Sequence, residues 1–128
     1  MGNKEKVANA ERELLHMFYE KGWMAIRAAG SGKLPEPSCD LLVGRGKKKF
    51  AIECKTCKTS KRYIDKKQIE NFKLFSKIFG LKPFIAVRFS RSGWFFVPPE
   101  CLEETGKGLA IDLEKAKRKG KTFFGFIK

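Results

Sequence analysis

The stretch KFAIECK, residues Lys49–Lys55, decides the fold of this chain. Large apolar residues alternate in it with small or charged residues, which is typical of a half-buried β-strand. The apolar members share one face: Phe50, Ile52 and Cys54. The other face presents Glu53 and Lys55 side by side, so we predict a strand that carries a carboxylate and an ammonium group toward one site.

A second strand precedes this one and predicts a β-hairpin. Leu41-Leu42-Val43 is a short apolar run, and Gly44-Arg45-Gly46 supplies a turn back into the KFAIECK strand. Asp40 stands at the threshold of the first strand. We therefore expect the Asp40 carboxylate to lie close to Glu53 and Lys55.

The N-terminal segment predicts a helix over residues 4–21, ended by Gly22. Its apolar stripe consists of Val7, Leu14, Leu15 and Phe18. Glu11 falls in the middle of that stripe, where an uncompensated carboxylate is costly. Two interpretations stay open: Glu11 lies at a stripe edge and pairs with a lysine, or it points into a metal or acid–base site.

A second helix is predicted from Asp65 to Phe79, with Gly80 after its end. Asp65 and Gln68 have the spacing of a capping box, with Asp65 as N-cap. The apolar positions cover an arc of roughly 220° at about 100° per residue, wider than one core contact normally uses. They are Ile69, Phe72, Leu74, Phe75, Ile78 and Phe79. Either both surfaces are buried within the monomer or one meets a second subunit; we favour the second interpretation.

The remaining segments complete an α/β pattern in a single domain of 128 residues. Residues 23–28 predict a strand, and 84–89 with 94–97 a further hairpin. Residues 30–38 contain two Gly, two Pro and two Ser, which predicts a mobile loop. The C-terminal segment 100–128 is less readable: 109–113 is a strand or turn, 114–119 a basic helical turn, and 123–127 a final apolar segment.

The composition indicates a partner of negative charge. The chain has 28 Lys and Arg against 14 Asp and Glu, a formal net charge of +14. Such an excess favours nucleic-acid binding over general solubility. A 42% hydrophobic content excludes a disordered basic tail, and no run is long enough for a membrane span. We expect a cytoplasmic, nucleoid-associated protein with no membrane contact.

Cysteine and histidine offer little for catalysis. Cys54 and Cys57 have the CxxC spacing of a zinc half-site or redox pair, but Cys39 and Cys101 have no close second ligand. We favour reduced thiols. His16 is the only histidine and lies among apolar helix residues. Hydrolysis by this chain would therefore have to use carboxylates and a metal.

The carboxylates suit that chemistry. Asp40, Glu53 and Glu11 would form an oxygen-rich site that Mg²⁺ prefers, and the backbone carbonyl of Cys54 could add a ligand. Lys55 beside them could orient water or stabilise the transition state of phosphodiester hydrolysis.

The order Glu11, Asp40 and Glu53-Cys54-Lys55, on helix, strand and strand, resembles the PD-(D/E)xK nuclease superfamily. The usual proline before the aspartate is missing, since Pro37 lies three residues back. Further segments resemble archaeal Holliday junction resolvases of the Hjc type, across about residues 4–97. They are Ala10–Leu14, Arg27–Gly32, the Asp40 strand, Ile52–Lys55 and Phe75–Gly80.

The resemblance implies a restriction-endonuclease-like fold, with a central mixed β-sheet flanked by helices, in one nuclease domain. It implies a homodimer that places paired nicks in four-way DNA junctions with Mg²⁺, for which Mn²⁺ can substitute, and recombination or replication proteins as further partners. Carried over to this sequence, the catalytic set is Glu11, Arg12, Arg27, Ser31, Asp40, Glu53 and Lys55. Metal ligands are Glu11, Asp40, Glu53 and the Cys54 carbonyl, and the dimer helix presents Phe72, Phe75 and Phe79. The residues expected to bind DNA are Arg12, Arg27, Ser31, Lys33, Lys58, Lys61 and Arg62.

Two alternatives remain beside this interpretation. One is another PD-(D/E)xK nuclease that acts on linear or damaged duplex DNA. The other is a non-catalytic basic module that binds nucleic acid without cleaving it.

Overall fold

The computed structural model describes residues 3–28 and 35–128. The helices are α1 (Asn3–Glu20), α2 (Lys66–Phe79), α3 (Leu113–Lys119) and α4 (Phe123–Phe126). The strands are β1 (Met24–Arg27), β2 (Leu41–Arg45), β3 (Lys48–Cys57), β4 (Lys61–Ile64), β5 (Lys82–Phe89), β6 (Gly93–Val97), β7 (Glu103–Thr105), β8 (Gly108–Asp112) and β9 (Lys121–Thr122). The chain is therefore mixed α/β, as its sequence predicts.

The central sheet has six strands in the order β1-β2-β3-β5-β6-β9. Among the described strands, only β3 and β5 pair in parallel, and helix α2 lies in the connection between them. The other pairings are antiparallel, including the predicted β2–β3 hairpin, in which Leu41 lies opposite Ile52. A second sheet of three strands, in the order β4-β8-β7, forms the remainder.

Apolar residues cover both faces of the central sheet, because strand residues alternate between them. One face carries Ile52 and Cys54 and packs against Leu14 and Phe18 of α1. The opposite face carries Ala51 and packs against α2 and the C-terminal elements. Glu53 belongs by alternation to this second face, so β3 has both its faces buried where the acidic residues occur.

Helix α2 departs from the sequence prediction at its start. Asp65 is the N-cap residue, but its side chain makes no capping hydrogen bond. The predicted capping box is therefore wrong, because Gln68 is engaged elsewhere: its Oε1 accepts a hydrogen bond from Lys55 Nζ at 2.8 Å. The predicted end of the helix is confirmed, with Gly80 in the left-handed region at φ 81°.

The two surfaces of α2 have different surroundings. Phe72 is 1% exposed and packs in the core of its own chain with Ile69. Its assignment to a dimer surface is therefore wrong for this structure. Phe75 is half-buried, whereas Ile78 and Phe79 are 77% and 60% exposed. The helix thus uses one side for the core and leaves the other side in solvent.

The C-terminal residues are more ordered than their sequence suggests. Residues 108–112 form strand β8, and the basic turn at 114–119 lies in α3. Asp112 caps α3 by accepting a hydrogen bond from the Lys115 N–H at 2.7 Å. No helix in the described residues is long and apolar enough to cross a membrane.

Candidate active site

Asp40 is fixed between two strands by its own backbone. Its carbonyl oxygen accepts a hydrogen bond from the Ala28 N–H at 2.9 Å, and its N–H donates to the Ile52 carbonyl at 3.0 Å. Its side-chain Oδ2 accepts from the backbone N–H of Cys54 at 2.8 Å. Three hydrogen bonds thus place the carboxylate beside the middle of β3, as the hairpin predicts.

Glu53 lies buried against Asp40. Its residue surface is 4% exposed, and burial raises the pKa of Glu53 to about 9, with the Asp40 charge and a hydrogen bond to Asp40 adding to the effect. Lys55 acts in the opposite direction through its charge. Without a cation, the two carboxyl groups therefore hold a proton at neutral pH, because Glu53 is buried and two negative charges side by side repel each other.

Glu11 is buried on helix α1 and pairs with an arginine rather than a lysine. The Arg27 Nε donates to Glu11 Oε1 at 2.6 Å, joining α1 to strand β1. The pKa of Glu11 is raised by burial, and the hydrogen bond from Arg27 opposes this effect. Glu11 therefore has, in Arg27, the compensating partner that a carboxylate buried in an apolar stripe requires.

Lys55 is held from the other side of the site. Its Nζ donates to Gln68 Oε1 in the first turn of α2 at 2.8 Å, which restricts a long and flexible side chain. Gln68 is a site residue that the sequence interpretation missed, since its spacing from Asp65 suggested a cap. Only the long-range contact between β3 and α2 reveals its role.

The carboxyl pair fits a divalent cation. Asp40 and Glu53 supply adjacent oxygen ligands, the class that Mg²⁺ and similar hard cations select, and a bound cation would relieve their mutual repulsion. Glu11 is directed to Arg27 instead. Over the described residues, no group of three His, Cys, Asp or Glu side chains is arranged to hold a metal ion. The fit therefore rests on the pair, and Glu11 as a direct ligand stays a prediction.

The other residues predicted to bind DNA differ in exposure. Arg12 is exposed on α1, and its Nη1 donates to Asn9 Oδ1 at 3.4 Å. Lys58 and Lys61 are exposed after β3, and Arg62 is half-buried in β4. Ser31 and Lys33, with most of the predicted 30–38 loop, lie outside the described residues.

The cysteines and the histidine have no place in catalysis here. All four cysteines are free, and Cys39, Cys54 and Cys57 are buried. Burial raises the pKa of Cys39 to about 12, which keeps its thiol protonated. His16 is exposed and contacts the edge of the Tyr19 ring. Carboxylates and Lys55 remain as the groups able to act.

Comparison with known proteins agrees with this geometry. The family model described as archaeal Holliday junction resolvase (Hjc) matches residues 2–123. The crossover junction endodeoxyribonuclease Hjc of Archaeoglobus fulgidus is 36% identical, over 94% of this chain and 93% of the relative. The Hjc of Methanocaldococcus jannaschii is 38% identical, over 84% of this chain and 76% of the relative.

A solved structure extends the similarity to the fold. The structure of Archaeoglobus fulgidus Hjc, a Holliday junction resolvase, superposes with a TM-score of 0.81 at 34% identity. The match covers 88% of this chain and 91% of that one. The expected restriction-endonuclease-like fold, with its central mixed sheet, is thereby confirmed.

Proposed function

Because the chain belongs to the archaeal Holliday junction resolvase (Hjc) family and is a crossover junction endodeoxyribonuclease, we propose that it cuts four-way DNA junctions in an active site formed by Asp40, Glu53 and Lys55. The observation that carries this assignment is that Asp40, directly before β2, lies against the buried Glu53 of β3, with Lys55 on the same strand as Glu53. Neither a solvated charged surface nor an ordinary core position explains a buried carboxyl group held against a second one. A metal-binding nuclease site explains this arrangement.

Asp40 and Glu53, with the carbonyl of Cys54, would hold Mg²⁺, or Mn²⁺ in its place. When bound, the cation supplies positive charge for the scissile phosphate and lowers the pKa of a water molecule. The protein fixes the position of the Asp40 ligand, since the Cys54 N–H donates a hydrogen bond to the Asp40 carboxylate. Family nucleases of this type are metal-dependent in general; Mg²⁺ is our specific proposal.

Lys55 donates hydrogen bonds to the phosphate as negative charge develops on it. Gln68 accepts one hydrogen bond from Lys55 Nζ, so the two remaining N–H groups of Lys55 would contact the phosphate. Arg27, held by Glu11, provides a second positive charge at the edge of the site, and exposed Arg12 provides a third. Ser31 and Lys33 complete the proposed contacts to DNA, with Lys58, Lys61 and Arg62 further along the chain.

We further propose a homodimer formed through the exposed side of α2. Ile78 and Phe79 are large apolar side chains left in solvent, and Leu74 is 45% exposed beside them. Phe75 and Phe79 lie with ring centroids 5.3 Å apart, so they form one continuous surface. Two copies would bring two sites to one junction, which paired nicking requires. We take residues 1–128 as a single nuclease domain. We propose that it acts on nucleoid DNA in the cytoplasm and meets recombination or replication proteins there.

One assay tests the activity and the substrate class together. Synthetic four-way junctions and linear duplexes of matched sequence are incubated with the protein, with Mg²⁺ or with a chelator. We expect paired cuts in the junction with Mg²⁺ and much slower cutting of the duplex. Equal cutting of both substrates would instead indicate a general nuclease, and binding without cleavage a non-catalytic module. Asp40→Asn serves as the control that binds without cutting.

A further inference from the structure

A basic cavity lies beneath the N-terminal half of α1, on the face of the sheet opposite α2. It has a volume of about 210 Å³ and is lined by Lys6 and Asn9 of α1, Thr56, Cys57 and Lys58 at the end of β3, and Arg88 and Ser90 at the end of β5. Three separate elements thus contribute one cation each. No carboxylate is among these lining residues.

The backbone places these groups together through sheet register. Thr56 lies directly opposite Arg88 in the parallel β3–β5 pair. Their side chains continue the face that carries Cys54 and Ala86, both buried under α1. The apolar core ends at this point, and polar and cationic groups take its place. The cavity is therefore a continuation of the α1–sheet interface.

The cations are closer to one another than their charges favour. The pKa of Lys6 is lowered because its amino group lies next to that of Lys58 and the Lys58 charge opposes its protonation. Both lysines are exposed, so each could turn away into water. Arg88 pairs with Glu13 at 3.1 Å, which fixes its guanidinium without neutralising the two lysines. An anion between Lys6 and Lys58 would remove their repulsion.

The cavity is adjacent to the active site along α1. Asn9, one of its lining residues, accepts a hydrogen bond from Arg12, the neighbour of Glu11. Lys6 and Glu11 are five residues apart, which is about 7.5 Å along a helix axis at 1.5 Å per residue. A phosphate bound in the cavity would therefore lie close to the one being cut, but not at it. The volume of about 210 Å³ is enough for a phosphate group.

We propose that this cavity, with Lys6, Lys58 and Arg88 as its cations, binds a backbone phosphate of the cleaved strand close to the scissile one. The hydroxyl groups of Thr56 and Ser90 and the amide of Asn9 provide further hydrogen bonds. Phosphate contacts of this kind set the register of a nucleic acid on a protein without reading its sequence. The proposal rests on the proposed function and adds to it a second, sequence-independent contact with the DNA backbone beside the site.

The test combines a variant with single uncharged linkages in the DNA. The variant is Lys6→Gln with Lys58→Gln, and the matched control is Lys119→Gln with Lys121→Gln, which makes the same charge change at two exposed lysines of the C-terminal region. Junctions carry one methylphosphonate at a time, at successive positions around the cut. With wild-type protein and with the control, binding weakens when the methylphosphonate replaces one particular phosphate near the cut. The Lys6/Lys58 variant loses that position-specific effect.

Salt dependence provides a second readout. Each phosphate contact adds about 0.9 to the slope of log affinity against log salt concentration, so the slope of the Lys6/Lys58 variant falls by about 1 for each cavity engaged relative to the control. A variant with the wild-type methylphosphonate profile, or with the slope of the control, overturns the proposal. The proposed function is judged separately, by whether wild-type protein cuts the unmodified junction with Mg²⁺.

Discussion

Lys55 and Gln68 are joined by a 2.8 Å hydrogen bond between a strand of the central sheet and the first turn of helix α2. Gln68 has the spacing from Asp65 that a capping box requires, but the Asp65 side chain makes no capping hydrogen bond. The amide group therefore serves the site rather than the helix end. This relationship makes Gln68 a positioning residue for Lys55.

Gln68→Leu should slow junction cleavage by about tenfold, as loss of a group that orients a catalytic residue commonly does. The leucine keeps the volume and removes the acceptor for Lys55 Nζ. Single-turnover cleavage of a four-way junction at saturating protein measures the effect. Gln68→Glu, which retains an acceptor, and Lys67→Leu, at the exposed neighbouring position, are controls. Wild-type cleavage by Gln68→Leu would show that Lys55 needs no such partner.

Asp40→Ala and Asp40→Asn should both abolish Mg²⁺-dependent cleavage but differ in stability. Both remove the charge beside Glu53, while only asparagine retains an oxygen that accepts from the Cys54 N–H. An unpaired buried N–H costs about 1–3 kcal/mol. The free energy of unfolding in urea should therefore be lower for Asp40→Ala than for Asp40→Asn by about that amount. Equal stabilities would mean that water satisfies the Cys54 N–H.

The stability of the metal-free protein should fall as pH rises from about 5 toward 9. The pKa of Glu53 is raised in the folded state to about 9 from its ordinary 4.5, so the folded state binds the proton more tightly than the unfolded state. Its stabilising effect is complete below pH 4.5 and is lost as pH rises through about 9. Urea unfolding at several pH values measures this dependence.

Glu53→Gln provides the control for that titration. Glutamine carries no ionisable proton, so the decline with pH should be largely absent in this variant. Mg²⁺ should raise the unfolding midpoint of wild-type protein more at pH 8.5 than at pH 5, since the cation competes with the proton for the carboxyl pair. A wild-type protein with the same pH profile as Glu53→Gln would show that Glu53 titrates normally.

Phe75→Ala with Phe79→Ala should weaken self-association, and Ile78→Lys should do so more strongly. Ile78 and Phe79 lie on the solvent side of α2 with half-buried Phe75 beside Phe79, and a charged group at Ile78 opposes burial against a second copy. Sedimentation equilibrium of the full chain measures the change. Phe124→Ser, a substitution at a 63% exposed phenylalanine of α4, is the matched control and should leave association unchanged. A dimer undiminished in Ile78→Lys would exclude this side of α2 as the interface.

Phe72→Ala should act on folding instead of association. Phe72 is buried in the core of its own chain, so removing its ring should cost about 3–5 kcal/mol of unfolding free energy. The urea unfolding midpoint measures this loss. A stability close to that of wild-type would mean that the ring contributes little to the core.

Much of this arrangement follows from periodicity in the sequence. The alternation in KFAIECK correctly groups Phe50, Ile52 and Cys54 on one face, which the structure packs against α1, and the hairpin brings Asp40 to Glu53. Helix α2 ends at Gly80 as expected, because only a residue that tolerates positive φ ends a helix in this way. Local pattern determines these features, so a single sequence is sufficient to predict them.

Other features depend on contacts between distant residues. Periodicity gives the width of the apolar stripe on α2 but does not tell which side faces the sheet, so Phe72 was assigned to the wrong surface. Strand β4 is short and has only one buried residue, Ile64, which hides it from pattern analysis. The sequence predicts that Glu11 either pairs with a lysine or points into the site, whereas its partner in the structure is Arg27. The arginine comes from strand β1, which only the folded chain brings to α1.

The protonated state of Glu53 has a practical consequence for structural work. At neutral pH and without a cation, this residue is already an uncharged carboxylic acid, close in shape and hydrogen-bonding capacity to glutamine. Glu53→Gln therefore reproduces the resting protein with little disturbance, whereas Asp40→Ala removes a support of the sheet. The glutamine variant is the better choice for capturing an uncut junction on the enzyme in a crystal or on a microscope grid.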